Sequence, residues 1–419
     1  MVAGAAYPLH FLLAAPTAFF LFTLTVMLFR PPDLVCFAAD RIAFGGLVGL
    51  VLLRALWLRQ SIPLAGPVTL PLLGLTLLAF ADLWSGPFAI QNWSVFAAKW
   101  AVPLVLFILV QMVFADGEAL QKFETYSLIV LAYLVLIAIF FLIGADSLVF
   151  PRYMLDENLG IHADRARGPF LQAVANGVTL NLLALLALNA FRRRRVRGVF
   201  ALLLLLALPL AALATKTRSV WLSFALSATV LLFFSSNARI RRACRWLVFA
   251  GMLGALSVLL LAQRDSSLAE RLQEDSPVEF RLALYRAGWD MFGEKPLLGW
   301  SSDAIQPELR RRIDDFHGQE FFFHNSYLEV GVNHGLAGLA LYLWVFVDLL
   351  RLGRQPRASR PVSFLDSEFR ALWPVMVGVY ALNAFFVVMN YQFVNGLLFT
   401  VAGMLAAQRR RDRMPAFRG

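Results

Sequence analysis

The chain has 419 residues, of which 59% are hydrophobic and 16% are charged, and its mean hydropathy is +0.67. Because a soluble domain is about 45–50% apolar and about 25% charged, this composition excludes a soluble globular protein and indicates a polytopic membrane protein. The net charge of +11 does not indicate a nucleic-acid partner, since the arginines cluster in short segments between apolar runs.

Twelve apolar segments approach the length of roughly 20 residues that a membrane-spanning helix needs. The chain is therefore predicted to be an all-α polytopic membrane protein with about 12 transmembrane helices. The first is interpreted as a retained helix, because no basic region or AxA cleavage site marks a signal peptide. The helices are predicted near 11–29, 37–57, 67–84, 94–115, 123–144, 169–190, 198–215, 219–236, 246–262, 326–350, 371–389 and 391–408.

Four arginine-rich segments set the predicted orientation. They lie at 192–197, 237–245 and 351–370 and in the tail at 409–419. Basic loops remain in the cytoplasm, and an arrangement of twelve helices brings these four segments to one side. Both termini are therefore predicted to be cytoplasmic. The clusters are interpreted as topogenic anchors that can also contact anionic membrane lipids, not as binding patches.

The opposite side is predicted to carry one large loop. Residues 263–323 hold eight basic and twelve acidic residues and are too rich in Trp, Leu and Phe for a disordered spacer. Helices are predicted at 267–272 and 279–292, the second with Phe280, Leu284, Ala287 and Met291 at helical spacing. The predicted organisation is nine helices over 1–262, a large periplasmic loop over 263–325, three helices over 326–408 and a basic cytoplasmic tail over 409–419.

Basic residues recur on this outer side, against the charge bias of membrane proteins. Arg165 and Arg167 precede a helix that is predicted to begin at Pro169, since proline suits a first helical turn. Lys216 and Arg218 lie with three hydroxyl residues in a turn before another helix, where the helix dipole favours anions. A bound anion would offset both costs. The alternatives are snorkelling of the first pair and a salt bridge to a loop acid for the second.

The predicted loop helix carries two further arginines. Arg281 and Tyr285 are one turn apart, whereas Arg286 points in a different direction. Only one of the two arginines is therefore expected to face a cleft. The alternative is a helix that lies on the outer leaflet and is anchored there by its tryptophans.

His324 stands where the large loop meets an apolar helix, in the sequence His324-Asn325-Ser326-Tyr327. A neutral imidazole can take a proton from a sugar hydroxyl, and arginine forks suit a diphosphate. The alternative is a histidine that caps the helix. His334, two to three turns further along, is interpreted as a buried neutral histidine, and structural roles are predicted for His10, His162 and His317.

Several kinds of site find little support in the sequence. It has no carboxylate pair, Walker loop or GxSxG motif, which argues against a hydrolase or an ATPase. The two cysteines, Cys36 and Cys244, have no CxxC spacing and no His/Cys cluster. We therefore predict no disulfide framework and no metal site.

At these residues the chain resembles the bacterial O-antigen ligase and O-antigen polymerase superfamily. The resemblance covers about the C-terminal 60% of the chain, and the first five helices carry no matching motif. The matching pieces are Arg167-Gly168 with Asn176-Gly177, Thr217-Arg218-Ser219, the stretch from Arg281 to Gly299 with its Lys295-Pro296-Leu297-Leu298-Gly299, and His324-Asn325-Ser326-Tyr327 followed by Gly335-Leu336-Ala337-Gly338.

The resemblance implies an inverting glycosyltransferase at the periplasmic face of the bacterial inner membrane. It would move O-antigen from undecaprenyl diphosphate to a sugar hydroxyl of lipid A–core, with no nucleotide, other cofactor or essential metal. His324 would deprotonate the acceptor, while Arg218 and Arg286 would bind the diphosphate and stabilise the leaving group. Other residues would assist or contact substrate: Arg281, Arg165, Arg167, Lys216, Asn325 and Tyr327.

Three other functions remain open at this point. A polymerase would join two lipid-linked donors and would need no lipid A–core acceptor. A protein-glycosylating member is disfavoured, because no pilin-type recognition domain is evident. A transporter of lipid-linked glycans would need charged or discontinuous helices at the membrane midplane, whereas the charges here cluster at the predicted helix ends.

Overall fold

The computed structural model describes residues 16–30, 39–114, 116–262, 276–313, 321–354 and 364–413, and every regular element within these ranges is helical. His10, Cys36, His317 and the predicted helix 267–272 lie outside the described residues. The α-helices are α1 (Pro16–Leu28), α2 (Ala39–Trp57), α3 (Thr69–Ser85), α4 (Ile90–Val113, with a π-helical turn at Ala97–Ala101), α5 (Gly117–Leu142), α6 (Ala173–Arg192), α7 (Gly198–Ala214), α8 (Arg218–Phe234), α9 (Ala238–Ala262), α10 (Ser276–Glu294), α11 (Ser302–Arg312), α12 (Ser326–Gly353), α13 (Ser367–Phe386) and α14 (Gln392–Arg413).

A helix lies at each of the twelve predicted segments, and α10 and α11 lie within the predicted large loop. Within the described ranges, five helices are long and apolar enough to cross a membrane by length and composition, namely α4, α5, α6, α12 and α13. Shorter apolar helices accompany them at α1, α3, α7 and α8. These helices indicate a multi-pass membrane protein, and the number of twelve crossings stays a prediction.

The buried apolar side chains form two main clusters. The larger cluster has members from α1 to α9 and from α12 to α14, and α6 is the most enclosed of the candidate spans. The second cluster joins α10 and α11 to the first turns of α12 through Leu284, Met291, Leu309, Phe323 and Val332. The described part of the predicted large loop, 276–313 and 321–325, therefore has a core of its own, which supports the prediction that this part is not a disordered spacer.

Contacts between the arginine-rich segments bring them to one end of the helix bundle, hereafter the basic end. Arg192 pairs with Asp366, and Arg239 donates to the carbonyl oxygen of Arg192 (2.7 Å). Arg370 donates to Gln408 near the end of α14 (3.2 Å). The linkers after α6, α8 and α12 and the last turns of α14 thus meet, as the pattern of basic residues predicts. His324 lies at the opposite end, hereafter the site end.

Helix α10 runs alongside α12. Gly288 packs on Phe323 and Leu328, since a Cβ there would lie 2.8 Å and 2.9 Å from their side chains. One turn further on, Phe292 packs against Gly331. This parallel packing disagrees with the alternative in which the helix lies flat on a leaflet.

One local prediction is wrong, and one helix was not predicted. No α-helix begins at Pro169: residues Gly168–Phe170 form one 3-10 turn, and Leu171 then adopts a left-handed conformation (φ 53°), so α6 begins only at Ala173. Helix α11 was not predicted, because its sequence is highly charged and contains Pro307. Its buried residues Ile305 and Leu309, one turn apart, are the signal that could have indicated it.

Candidate active site

His324 occupies an unusual backbone conformation directly before α12. Its φ is +48°, in the left-handed region that non-glycine residues seldom adopt, although histidine is enriched there. The next residue, Asn325, fixes the turn, because its side-chain oxygen accepts from the N–H groups of Tyr327 (2.9 Å) and Leu328 (3.1 Å). Asn325, predicted to contact substrate, therefore caps α12 and holds the backbone of His324.

The surroundings of His324 keep its imidazole neutral. Burial lowers its pKa from the ordinary 6.5 to about 4, and the nearby charge of Arg281 contributes to the same shift. The hydroxyl of Tyr285 donates to the carbonyl oxygen of His324 (3.4 Å), which ties α10 to this turn. At neutral pH the imidazole has a free lone pair and can accept a proton.

Both arginines of α10 are exposed, and the expectation that only one of them faces a cleft stays a prediction. Arg281 is exposed and close enough to His324 to influence its pKa. Arg286 is also exposed and follows Tyr285 on the next position of the helix. Arg281 is the arginine of α10 whose charge acts on His324, whereas the resemblance implied the larger role for Arg286.

Tyr327 and Ser326 attach the start of α12 to its neighbour. The hydroxyl of Tyr327 donates to the carbonyl oxygen of Ala381 on α13 (3.0 Å). The hydroxyl of Ser326 donates to the carbonyl oxygen of Val387 (2.9 Å) and accepts from the N–H of Met389 (2.8 Å). Tyr327, predicted to contact substrate, therefore positions the helix that carries His324.

A second group of basic residues surrounds the turn between α7 and α8. Lys216 pairs with Asp164 at 3.4 Å, and both side chains are more than one third exposed, so this ion pair contributes little to stability. The N–H of Ala166 donates to the carbonyl oxygen of Ala214 (2.9 Å), which holds the Arg165 segment against the same turn. The structure thus brings Arg165, Lys216 and Arg218 into one region.

The start of α8 presents polar groups toward this region. Arg218 is its first residue and is exposed. The preceding Thr217 does not cap the helix with its side chain, because its hydroxyl donates to the carbonyl oxygen of Thr215 (2.9 Å). Backbone N–H groups at a helix start together with an arginine can hold an anion.

Arg167 has a different role from the one the sequence indicates. It is 2% exposed, and its guanidinium donates to the carbonyl oxygens of Met154 (3.0 Å), Asp156 (2.9 Å) and Leu159. Burial also lowers its pKa. These contacts occupy both terminal nitrogens, so Arg167 organises the loop between α5 and α6.

A buried ion pair joins the N-terminal helices to the site, and sequence reasoning missed it. Lys99, in the π-helical turn of α4, pairs with Glu329 in the first turn of α12, and their side chains are 6% and 17% exposed. The signal was present in the sequence, since a lysine inside an apolar span usually has a buried partner or a functional role. Its partner lies 230 residues away, which no local pattern reveals.

The segment between α13 and α14 and the first turn of α14 contact the elements that carry both groups. Val387 and Met389, in the segment, bond to Ser326 beside His324. Phe393, in the first turn of α14, packs against Phe170 at the end of the loop that carries Arg165, with ring centroids 5.8 Å apart. The two basic groups therefore lie at the same end of the bundle. Among the described residues, no group of three or more His, Cys, Asp and Glu side chains is placed to hold a metal ion.

These features define a multi-pass membrane protein with a neutral histidine and several cations at one end of its helix bundle. Residues 200–343 match the family model described as O-antigen ligase, which supports membership of the O-antigen ligase superfamily. No curated protein matches the chain. The matched region includes Lys216, Arg218, the arginines of α10 and His324, whereas Arg165 precedes it. Membership implies a glycosyltransferase-like membrane enzyme with lipid-linked glycan and lipid acceptor substrates.

Proposed function

We propose that the protein is an O-antigen ligase of the bacterial inner membrane. It would transfer O-antigen from undecaprenyl diphosphate to a sugar hydroxyl of lipid A–core at the periplasmic face. The arginine-rich loops of the basic end would lie in the cytoplasm, which would place the site end in the periplasm. The observation that carries the proposal is the neutral, half-buried imidazole of His324 beside the charge of Arg281.

In the proposed reaction, the neutral His324 accepts the proton of the acceptor hydroxyl. The acceptor oxygen forms a bond to the anomeric carbon of the donor while the bond from that carbon to the diphosphate oxygen breaks, which inverts the configuration. Undecaprenyl diphosphate leaves with the bonding electrons. The diphosphate already makes the sugar a good donor, so the proposal requires no nucleotide, other cofactor or metal.

The cations of the site would bind the diphosphate and stabilise the charge that develops on it. Arg218, at the first position of α8, would supply a bidentate fork with help from the helix N–H groups. Lys216 and Arg165 lie in the same region. If Lys216 turns from Asp164 to the diphosphate, only a weak ion pair is lost. Arg281 and Arg286 would contribute from α10.

The test replaces His324 with asparagine, because asparagine tolerates the left-handed backbone that alanine does not favour and is not a base at neutral pH. His162→Asn is the matched control, since His162 also has a positive φ (+55°) and is exposed. In the native host, H324N is expected to abolish lipopolysaccharide capped with O-antigen and to accumulate lipid-linked O-antigen. A normal ladder of O-antigen lengths on a lipopolysaccharide gel would contradict the role of His324. A lipid A–core that carries a single O-antigen repeat would indicate the polymerase instead.

The diphosphate role of Arg218 is tested separately with purified protein. Arg218→Lys keeps the positive charge and removes the fork. We expect a large loss of transfer activity. We also expect the lipid diphosphate to stabilise the variant less against unfolding than it stabilises the wild-type protein. Arg239→Lys, at the basic end, is the control and should leave activity unchanged. Full activity of R218K would show that Arg218 is not a fork for phosphate.

A further inference from the structure

We propose that the segment between α10 and α11, Lys295–Trp300, is a re-entrant tip whose Leu297 and Leu298 contact the acyl chains of the membrane leaflet at the site end. The proposal concerns the interaction of the protein with lipid and does not depend on the reaction described above. It rests on the position of the tip along α12, on the bonds that hold it there and on the exposure of its leucines.

The tip reaches a break in a candidate membrane-spanning helix. Helix α12 is interrupted at Gly335, where φ is 61° and ψ is −158°. A continuous α-helix of 28 residues would be about 42 Å long, compared with roughly 30 Å for the hydrocarbon core of a bilayer. If α12 is centred, the core begins about four residues after Ser326, so Gly335 lies about 7 Å inside it. A chain segment that touches Gly335 is therefore inside the leaflet.

Backbone hydrogen bonds join the tip to this break. The N–H of Leu336 donates to the carbonyl oxygen of Pro296 (2.7 Å), and the N–H of Trp300 donates to the carbonyl oxygen of Val332 (2.8 Å). Irregular backbone is tolerated at membrane depth only where its polar groups find partners within the protein. Backbone polar groups at the break in α12 and in the non-helical tip are thus hydrogen-bonded to each other.

Two glycines make this close approach possible. A Cβ on Gly335 would lie 2.3 Å from the carbonyl carbon and oxygen of Leu297, and one on Gly299 would lie 2.5 Å from the backbone of Val332 and Asn333. Both glycines also have positive φ values, 61° and 78°. The two glycine-containing motifs of the sequence, 295–299 and 335–338, therefore pack directly against each other.

The side chains of the tip have the pattern expected of a lipid contact. Leu297 and Leu298 are 69% and 71% exposed, and Leu336 on α12 beside them is 49% exposed. Leu336 belongs to α12, a helix apolar enough to cross a membrane. The ammonium group of Lys295 lies 3.8 Å from the ring centroid of Trp300, and the two residues combine a cation and an indole, as at many membrane interfaces.

The opposite side of the tip is tied to another apolar helix. The N–H of Ser302, at the start of α11, donates to the side chain of Asp82 (3.3 Å), and its hydroxyl bonds to the same carboxylate. Asp82 lies in the last turn of α3. The chain thus descends along α12, turns at the tip and returns beside the end of α3.

The experiment measures the surroundings of spin labels on the full chain in nanodiscs of phosphatidylethanolamine and phosphatidylglycerol. Labels are attached at Leu297→Cys or Leu298→Cys in a Cys36→Ser background, since Cys244 is fully buried. The controls are Asp290→Cys and Asp303→Cys, on exposed positions of α10 and α11. Collisions with oxygen, which enters lipid, are compared with collisions with a water-soluble nickel chelate.

We expect the ratio of oxygen to nickel accessibility to be several-fold higher at both leucine positions than at the two controls. Equal ratios at all four positions would overturn the proposal. If a labelled protein does not give uniform discs, Leu298→Trp in discs with brominated acyl chains provides a second measurement. The added tryptophan emission should be quenched by these lipids, and unquenched emission would overturn the proposal in the same way.

Discussion

The ion pair between Lys99 and Glu329 provides the sharpest test of how the N-terminal helices support the site. Replacing Lys99 with methionine keeps a side chain of similar length and removes the charge. The carboxylate of Glu329, whose side chain is 17% exposed, would then remain without its partner. Removal of one member of a buried ion pair costs about 3–5 kcal/mol. Because Glu329 keeps some contact with solvent, we expect a loss near the lower limit, about 3 kcal/mol.

The double variant Lys99→Met/Glu329→Gln separates the charge from the packing. It leaves no unpaired charge, and replacement of a buried ion pair by neutral groups of similar volume is often nearly neutral. We therefore expect the double variant to be more stable than K99M, with a coupling energy of at least about 1 kcal/mol in the double-mutant cycle. Lys122→Met is the matched control, because Lys122 forms an exposed ion pair with Glu118.

The assay is reversible unfolding of the purified protein in mixed micelles, followed by tryptophan emission, together with transfer activity for each variant. K99M and the single variant Glu329→Gln should both be destabilised. The variants that lose the most stability should also lose the most transfer activity. If K99M is as stable as the double variant, the pair does not hold α12, and the reasoning from burial is refuted.

Three further results are expected. Removal of the charge in Arg281→Gln should raise the pKa of His324 above about 4. Activity requires the neutral imidazole and falls as the pH drops through that pKa, so the variant should lose activity at a higher pH than the wild type. Because burial is the larger cause of the low pKa, the shift should be partial, and an unchanged acid limb of the pH profile would refute the role of Arg281. Arg167→Met should lower the free energy of unfolding by about 2 kcal/mol or more, because three carbonyl oxygens lose their donor. The unfolding midpoint measures this loss, and an unchanged midpoint would contradict the structural role of Arg167. Gly335→Ala should be destabilised by more than 1 kcal/mol, because the added methyl group overlaps the tip at a positive φ. Gly378→Ala is the control and should not be destabilised, since the space around Gly378 is open. Equal unfolding midpoints for the two variants would argue against the close approach at the helix break.

Helix positions were readable from the sequence because they depend on local properties of the chain. Apolar runs of helical length predict where the helices lie, and each of the twelve predicted segments coincides with one. The meeting of the arginine-rich segments at the basic end could likewise be predicted, because it follows from alternation of consecutive helices across a bundle. Both predictions need composition and length but no knowledge of which side chains touch.

The roles of individual residues were less predictable because they depend on side-chain contacts that residue patterns do not show. Arg165 and Arg167 look equivalent as neighbours in one loop, but three carbonyl oxygens enclose Arg167. The depth of the tip was not evident either, since Leu297 and Leu298 form a short apolar pair within a polar stretch. The sequence motif around Gly335 predicted close packing, but not that its partner would be the tip rather than another helix.

The geometry at His324 depends on residues on both sides of the family-matched region. The matched residues 200–343 contain the histidine and most of the cations to which chemistry is assigned. The first turns of α12 are nevertheless held from outside, by the bond from Ser326 to Val387 and by the ion pair of Glu329 with Lys99. Helix starts have few internal hydrogen bonds, so these external contacts decide where the preceding histidine points. The N-terminal helices, which carry no recognisable motif, thus take part in the site by fixing its shape, and a fragment limited to 200–343 is expected to lose that shape.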